Sequence, residues 1–308
     1  MDAVPDYLRS LVDDAAIFPP GDLPVQDAVP AHLAHQAAWY ASTVGPFVID
    51  DRRLEALSPL IQDATAPPDG LAVSVVATGG AGSIDPAVRA AHAAAGVRPV
   101  AVEAALRARD DLTSAARRVS TVLALLADDG VVDDDLTVYV ELPVHESVAT
   151  STDSQATVDE IDAAGLGLKF RTGGADADAF PTPLALATAI DAALDREVPF
   201  KCTAGLHHAV RRHDPATGFE HHGFLNVLLA TRACLDGAGV TAAADILALS
   251  SASSVGQAVE AAGATGLASA RRWFCSFGSC SIAEPIDDLV ALGILARPDG
   301  DPADTVAV

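Results

Sequence analysis

Short apolar runs alternate with longer segments of helical periodicity along this chain. Residues 2–14 place Tyr7, Leu8, Leu11 and Val12 on one face, which predicts an N-terminal helix. Residues 15–18 then read as a short strand, stopped by Pro19-Pro20-Gly21. The same reading gives helices over 25–41, 53–63, 85–95, 111–128, 157–164, 183–194 and 223–236. Strands fall between them, over 46–49, 71–77, 99–104, 136–142, 166–171 and 199–203. One or two further helices lie between 241 and 262, and a last strand covers 272–277. The final helix opens at Ser281-Ile282-Ala283-Glu284, the pattern of a capping box, with Pro285 in its first turn.

Eight strand-like runs, each followed by a helix-like run, imply a parallel sheet. In a chain of 308 residues they point to one (β/α)8 TIM barrel over residues 1–308, with extra helices before strand eight. A doubly wound open sheet is the runner-up, but no GxGxxG follows any strand. Residues 297–308 are expected to form a flexible tail.

Strand parity then places the charges. Val100 and Val102 alternate with Ala101 and Glu103, and Val138, Val140 and Leu142 with Tyr139 and Glu141. Leu168 and Phe170 alternate with Lys169 and Arg171, and Phe200 and Cys202 with Lys201 and Thr203. Outward positions pack on helices, so Glu103, Glu141, Lys169, Arg171 and Lys201 are all expected to face inward. Buried charges must be paired or functional. A purely structural salt-bridge network across the barrel is the plainer of the two readings.

Composition narrows the partners. Nineteen Lys and Arg against forty-two Asp and Glu give a net charge of −23. This excludes partners that need a basic surface, so neither nucleic acid nor an anionic membrane is expected. The acids are spread along the chain, which fits the diffusely acidic surface of a halophilic protein. No basic-then-apolar start and no apolar run long enough to span a bilayer are present, so a cytoplasmic location is expected. The four cysteines lack CxxC spacing and are expected as reduced thiols. No HExxH or HxH spacing calls for a metal, and neither a metal nor a cofactor is expected. A small anionic substrate is the expected partner, and an apolar barrel with few surface lysines could readily dimerise.

Lys169 and Lys201 are the chain's only lysines, and each is followed by a Thr-and-Gly turn. A lysine is nucleophilic only when its pKa is lowered by burial or a neighbouring cation. Lys169 beside Lys201, with Arg171 on the same face, is expected to keep one amine neutral near pH 7. That amine would form a Schiff base with a carbonyl substrate while Glu103 or Glu141 shuttles protons. At these residues the sequence resembles class I aldolases of the deoxyribose-phosphate aldolase type, which carry Lys-Thr-Ser-Thr-Gly on strand six and Lys-x-x-Gly-Gly on strand seven. Lys169, Thr172 and Gly173 match the first run, and Lys201 and Gly205 the second. The resemblance implies Lys169 as the Schiff-base lysine and Lys201 as the cation that depresses its pKa. It is confined to this stretch. Phe170 and Arg171 replace small hydroxyl residues, and Ala204 replaces a glycine. Arg171 would suit a carboxylate or an additional phosphate.

The turns after strands seven and eight, with Thr203, Ala204 and Gly205 and with Gly278 and Ser279, are candidate anion anchors. Shaping tight turns is the competing role for these glycines. Thr172 joins Arg171 as a candidate substrate contact. Five of the nine histidines fall between His207 and His222. His207 and His208 follow strand seven directly and are candidate general acids or bases. His213 reads as a solvated loop residue, and His221 and His222 as a loop-to-helix junction. His32, His35, His92 and His145 read as surface or packing residues.

The expected function is therefore an aldolase-type lyase acting on a small anionic carbonyl compound, phosphorylated or not, through a lysine Schiff base. One alternative is a divalent-metal-dependent lyase or isomerase, with Glu103, Glu141, His207 and His208 around the ion and the lysines as base and clamp. The other is a non-catalytic barrel that binds an anion.

Overall fold

The computed structural model describes residues 4–63, 67–106, 111–132, 135–144, 151–215 and 217–298. His145 and the tail beyond 298 lie outside them. Eight strands form a closed barrel in which every neighbouring pair is parallel. They are β1 (Val12–Asp14), β2 (Val44–Asp50), β3 (Leu71–Ala77), β4 (Val97–Ala105), β5 (Thr137–Leu142), β6 (Gly167–Arg171), β7 (Phe200–Thr203) and β10 (Phe274–Ser279). Sequence order is kept around the ring, and β1 closes it between β10 and β2. A separate antiparallel hairpin, β8 (Arg212–Asp214) with β9 (Phe219–His221), stands on the connection after β7. The expected (β/α)8 barrel is thus the observed fold.

Each barrel strand is followed by helix. In chain order these are α1 (Val25–Gln36), α2 (Leu57–Asp63), α3 (Ala81–Ala93), α4 (Leu112–Asp128), α5 (Thr152–Ala163) and α6 (Pro183–Leu194). Three helices, α7 (Phe224–Leu235), α8 (Gly239–Leu247) and α9 (Ala252–Ala270), precede β10, and α10 (Ala283–Ala291) follows it. Local chemistry sets several of the starts. Asp111, Ser151, Thr182 and Ser251 each accept a backbone N–H three residues on, the usual N-cap bond. Gly263, at φ +66°, breaks α9 near its middle. No helix among the described residues is long and apolar enough to cross a membrane.

Outward strand residues make the core between barrel and helices. Phe47, Ile49, Val73 and Val75 are buried on one side of the ring. On the other, Phe170, Phe200 and Phe274 form a row across β6, β7 and β10, with ring centroids 5.2 and 5.5 Å apart. Burying one such ring contributes roughly 1.5–3 kcal/mol. This belt fixes β6 and β7 side by side, and their inward residues follow from it.

Two expectations fail at the N-terminus. Residues 2–14 are not one helix. A short 3₁₀ turn covers Asp6–Leu8, and the chain then extends as β1. Residues 15–18 are not the first strand but follow it. The cause is local: Leu11 and Val12 are fully buried as extended chain, and β1 takes its hydrogen bonds from β10 and β2. At the other end the last strand is shifted two residues toward the C-terminus, to Phe274–Ser279.

Candidate active site

Register and parity together bring the charges into the barrel. Glu141, Lys169, Lys201 and Ser276 are paired neighbours across β5, β6, β7 and β10, so they form one rung. All are inward and buried, as is Glu103 on β4. Glu103 bridges the two lysines. Its Oε2 lies 2.8 Å from the Lys169 ammonium and its Oε1 2.6 Å from that of Lys201. Glu141 completes Lys169 at 2.9 Å and accepts from Arg171 Nε at 2.7 Å. Asp13, at the centre of β1, completes Lys201 at 2.5 Å. The hydroxyls of Ser74 and Ser276 donate to Glu103 and Asp13 at 2.7 and 2.8 Å. The Tyr139 ring lies beneath Lys201, 5.5 Å from the ammonium.

Three carboxylates thus face three cations. Burial alone would pull the lysines down, but Glu103 and Glu141 hold Lys169 above the ordinary lysine value, and Asp13 and Glu103 do the same for Lys201. This corrects the expectation of a neutral amine in the resting site. Each ammonium meets carboxylates within 3 Å, and they outweigh the neighbouring cation. Burial pushes Glu103 and Glu141 up, and the lysines, with Arg171 at Glu141, more than reverse it, leaving both below the carboxylate range. Asp13 differs. Its burial outweighs Lys201 and Ser276, so it is raised, and its second oxygen has no hydrogen-bond partner among the described residues. It is the carboxylate of the group readiest to accept a proton.

The two lysines differ in what adjoins them. Arg171 lies two residues beyond Lys169 at the C-terminal mouth, and its side chain is 45% exposed. Lys201 instead lines a cavity of about 180 Å³ with Asp13, Tyr139, Cys275 and Ser276. The strand residues lining that cavity come from the N-terminal halves or the centres of their strands.

The turns at the mouth do structural work. The Thr172 hydroxyl is buried and donates to the carbonyls of Ala204 and Thr203, tying the end of β6 to the turn after β7. It is committed to backbone rather than free for a ligand. Gly173 and Gly205 let the two turns touch, since a Cβ on Gly173 would stand 2.8 Å from Gly205 Cα. Gly205 also has φ +72°. Thr203 ends β7 half-buried, opposite Gly278 on β10. Ser279 is buried, and its hydroxyl donates to the Ser281 carbonyl at 2.6 Å.

The histidines divide among several tasks. His207 lies 3.3 Å from Glu284 and 3.5 Å from the Cys280 sulfur. Burial would lower it, yet Cys280 and Glu284 raise it to about 9. His208 is held by Asp288 at 3.1 Å, which also accepts the Ala209 amide. His213 pairs with Glu220 inside the hairpin, a structured position rather than a loop. His221 packs on Phe180. His222 is buried at the entry to α7 and donates Nε2–H to the Pro181 carbonyl, as a junction residue. His32 is buried against Asp14 at 2.9 Å. The donors of the metal alternative are therefore not assembled: Glu103 and Glu141 are held by cations inside the barrel, and His207 and His208 by their own carboxylates at the rim. Among the described residues no group of three His, Cys, Asp or Glu side chains is arranged to hold a metal ion.

Sequence reasoning missed Asp13, Ser74 and Cys280. For Asp13 a signal existed, an acidic residue directly after a fully apolar Leu11-Val12 pair, but it was absorbed into the apparent N-terminal helix.

No protein-family model matches this chain, and no curated protein matches it in sequence. Among solved structures it is similar to a tetrameric deoxyribose phosphate aldolase from Aeropyrum pernix, at 13% identity and a TM-score of 0.53. That match covers 94% of this chain and 93% of the other. At such identity the likeness is one of fold.

Proposed function

We propose that this barrel is an aldolase-type lyase that forms a Schiff base between Lys169 and a small anionic carbonyl compound. The observation that carries this is the placement of the Lys169 ammonium between two carboxylates, directly beneath the exposed Arg171. The fold shared with a deoxyribose phosphate aldolase is consistent with it. Arg171 is the anion receptor, and it is also one of the two cations that keep Glu141 ionised. A substrate carboxylate or phosphate that draws the guanidinium away leaves Glu141 with Lys169 alone. Burial then raises Glu141 toward accepting a proton, and the nearest is on Lys169 Nζ, 2.9 Å away. The freed amine attacks the substrate carbonyl, and loss of water gives the iminium. Lys201, held as a cation by Asp13 and Glu103, stabilises negative charge that develops nearby. Substrate binding, not the resting electrostatics, thus produces the nucleophile.

The test is borohydride trapping in high salt with a panel of small aldehydes, ketones and sugar phosphates, read by intact mass and peptide mapping. A substrate-dependent adduct on Lys169, absent from Lys169→Arg, is expected. No adduct on either lysine across the panel would remove the Schiff-base reading. A second reading, a non-catalytic anion-binding barrel, is favoured by the pairing of all six charges in the resting site. In that case Lys169→Arg keeps its anion affinity and no carbonyl compound is trapped.

A further inference from the structure

Cys280, His207 and Glu284 form a second cluster of chemically active side chains, apart from the lysine network. They converge from the C-terminal ends of two adjacent barrel strands. His207 follows β7, Cys280 follows β10, and Glu284 is in the first turn of α10. The Cys280 sulfur lies 3.5 Å from Nδ1 and 3.8 Å from Nε2 of His207. Glu284 reaches the same imidazole at 3.3 Å. In a capping box the Glu284 carboxylate would turn back to its own helix start. Here the Ser281 hydroxyl accepts the Glu284 amide at 3.2 Å, but the carboxylate goes to His207 instead. Gly21 lets the chain pass close to this residue: a Cβ there would stand 3.0 Å from Cys280 Cβ.

The other three cysteines have no such setting. Cys202 is fully buried. Burial raises Cys275. Burial and Asp191 push Cys234 up to about 11. Cys280 alone stands half-buried against an imidazole, whose Nδ1 is shared between the sulfur and the Glu284 carboxylate, and a thiol beside such an imidazole is activated as a nucleophile.

We infer that Cys280 is a nucleophilic cysteine at the barrel mouth and that it takes an aldehyde as a reversible hemithioacetal, with His207 as its proton relay. The sulfur forms a bond to the carbonyl carbon, and the π pair moves to oxygen. His207 gives that oxygen a proton and regains one from the thiol, so S–H and C=O become C–S and C–O–H with no oxidant or reductant. The aldehyde class rests on the carbonyl reading of the lysine site. The thiol chemistry does not.

The test is alkylation by iodoacetamide near neutral pH, mapped by peptide mass, with and without glycolaldehyde. Cys280 is expected to react at least about ten-fold faster than Cys234 and Cys275, and His207→Gln to slow Cys280 by a similar factor while Cys234 is unchanged. Millimolar glycolaldehyde is expected to protect Cys280 in the parent protein and equally in Lys169→Arg. Protection that disappears in Lys169→Arg would mean that a lysine adduct covers the thiol, and would overturn the aldehyde assignment. Equal rates at Cys280 and Cys234, or indifference to His207→Gln in a variant with native circular dichroism, would overturn the nucleophile itself. Loss of the Lys169 adduct with Cys280 protection intact would instead count against the Schiff-base reading alone.

Discussion

Two histidines, His222 and His207, give this protein opposing pH dependences. His222 donates Nε2–H to a carbonyl in a dry site, and burial pulls it from 6.5 to about 4. Between those values the unfolded chain binds a proton that the folded chain refuses. Stability therefore rises with pH across that window, is complete above 6.5, and is lost as pH falls toward 4. The difference corresponds to ~3 kcal/mol. His207 runs the other way. With its pKa raised to about 9, its contribution is present below 6.5 and lost as pH rises through 9. Urea denaturation at several pH values should show stability falling on both sides of neutrality. His222→Gln keeps a donor for the Pro181 carbonyl but cannot titrate. It should flatten the acid limb between pH 4 and 6.5 and leave the alkaline limb unchanged. An acid limb identical to that of the parent would show that His222 is not its source. Glu103 and Glu141, held low by the lysines, add their own loss at still lower pH.

At the scale of elements, the glycine pair that joins the turns after β6 and β7 can be separated from glycines that do nothing. Alanine at Gly173 would put its Cβ 2.8 Å from Gly205 Cα, and both partners are backbone. Gly82 in α3 and Gly256 in α9 have open space around the Cβ position. Thermal denaturation should therefore place Gly173→Ala below the parent by about 1–3 kcal/mol, and Gly256→Ala above it by ~0.5–1 kcal/mol. A neutral Gly173→Ala would mean that the two turns can part, and that the Thr172 tie is dispensable. The same strands show what sequence could and could not tell. β5, β6 and β7 were legible because apolar residues alternate with polar or charged ones, and a charge on the outward face would meet a helix. β1 was not. Its three residues are all buried, including Asp13 and Asp14, so no alternation marks it, and the preceding apolar spacing imitates a helix. The hairpin of β8 and β9 was missed because its strands are three residues each, and it is held by polar contacts such as His213–Glu220 and by Phe219 packing on Phe180. Parity likewise placed the five inward charges correctly but not their protonation, which depends on distances that only Glu103, reaching both lysines at once, makes plain.

For the whole molecule, the question is how a net charge of −23 is carried by a compact fold. A chain of this length has a radius of gyration of about 19 Å. At ~0.01 M salt the screening length is about 30 Å, so every surface carboxylate repels every other across the molecule. At ~1 M it is about 3 Å, and only immediate neighbours interact. The exposed ion pairs, such as Arg117–Glu160 and Arg89–Asp85, weaken over the same range, but solvent-screened pairs of this kind contribute little to stability. With acids outnumbering bases by more than two to one, relief of repulsion should outweigh their loss. The buried lysine network, out of reach of ions, should hardly respond. The melting temperature is therefore expected to rise by more than about 5 °C between low and molar NaCl, with most of the rise below ~0.3 M, where screening changes fastest. Sucrose at matched osmolality, which strengthens burial without screening charge, should produce less of it. A melting temperature that is flat or falling in NaCl would mean that the acids are compensated locally, and that the diffuse-surface reading of the composition is wrong. A rise matched by sucrose would assign the effect to exclusion of solute from apolar surface rather than to charge.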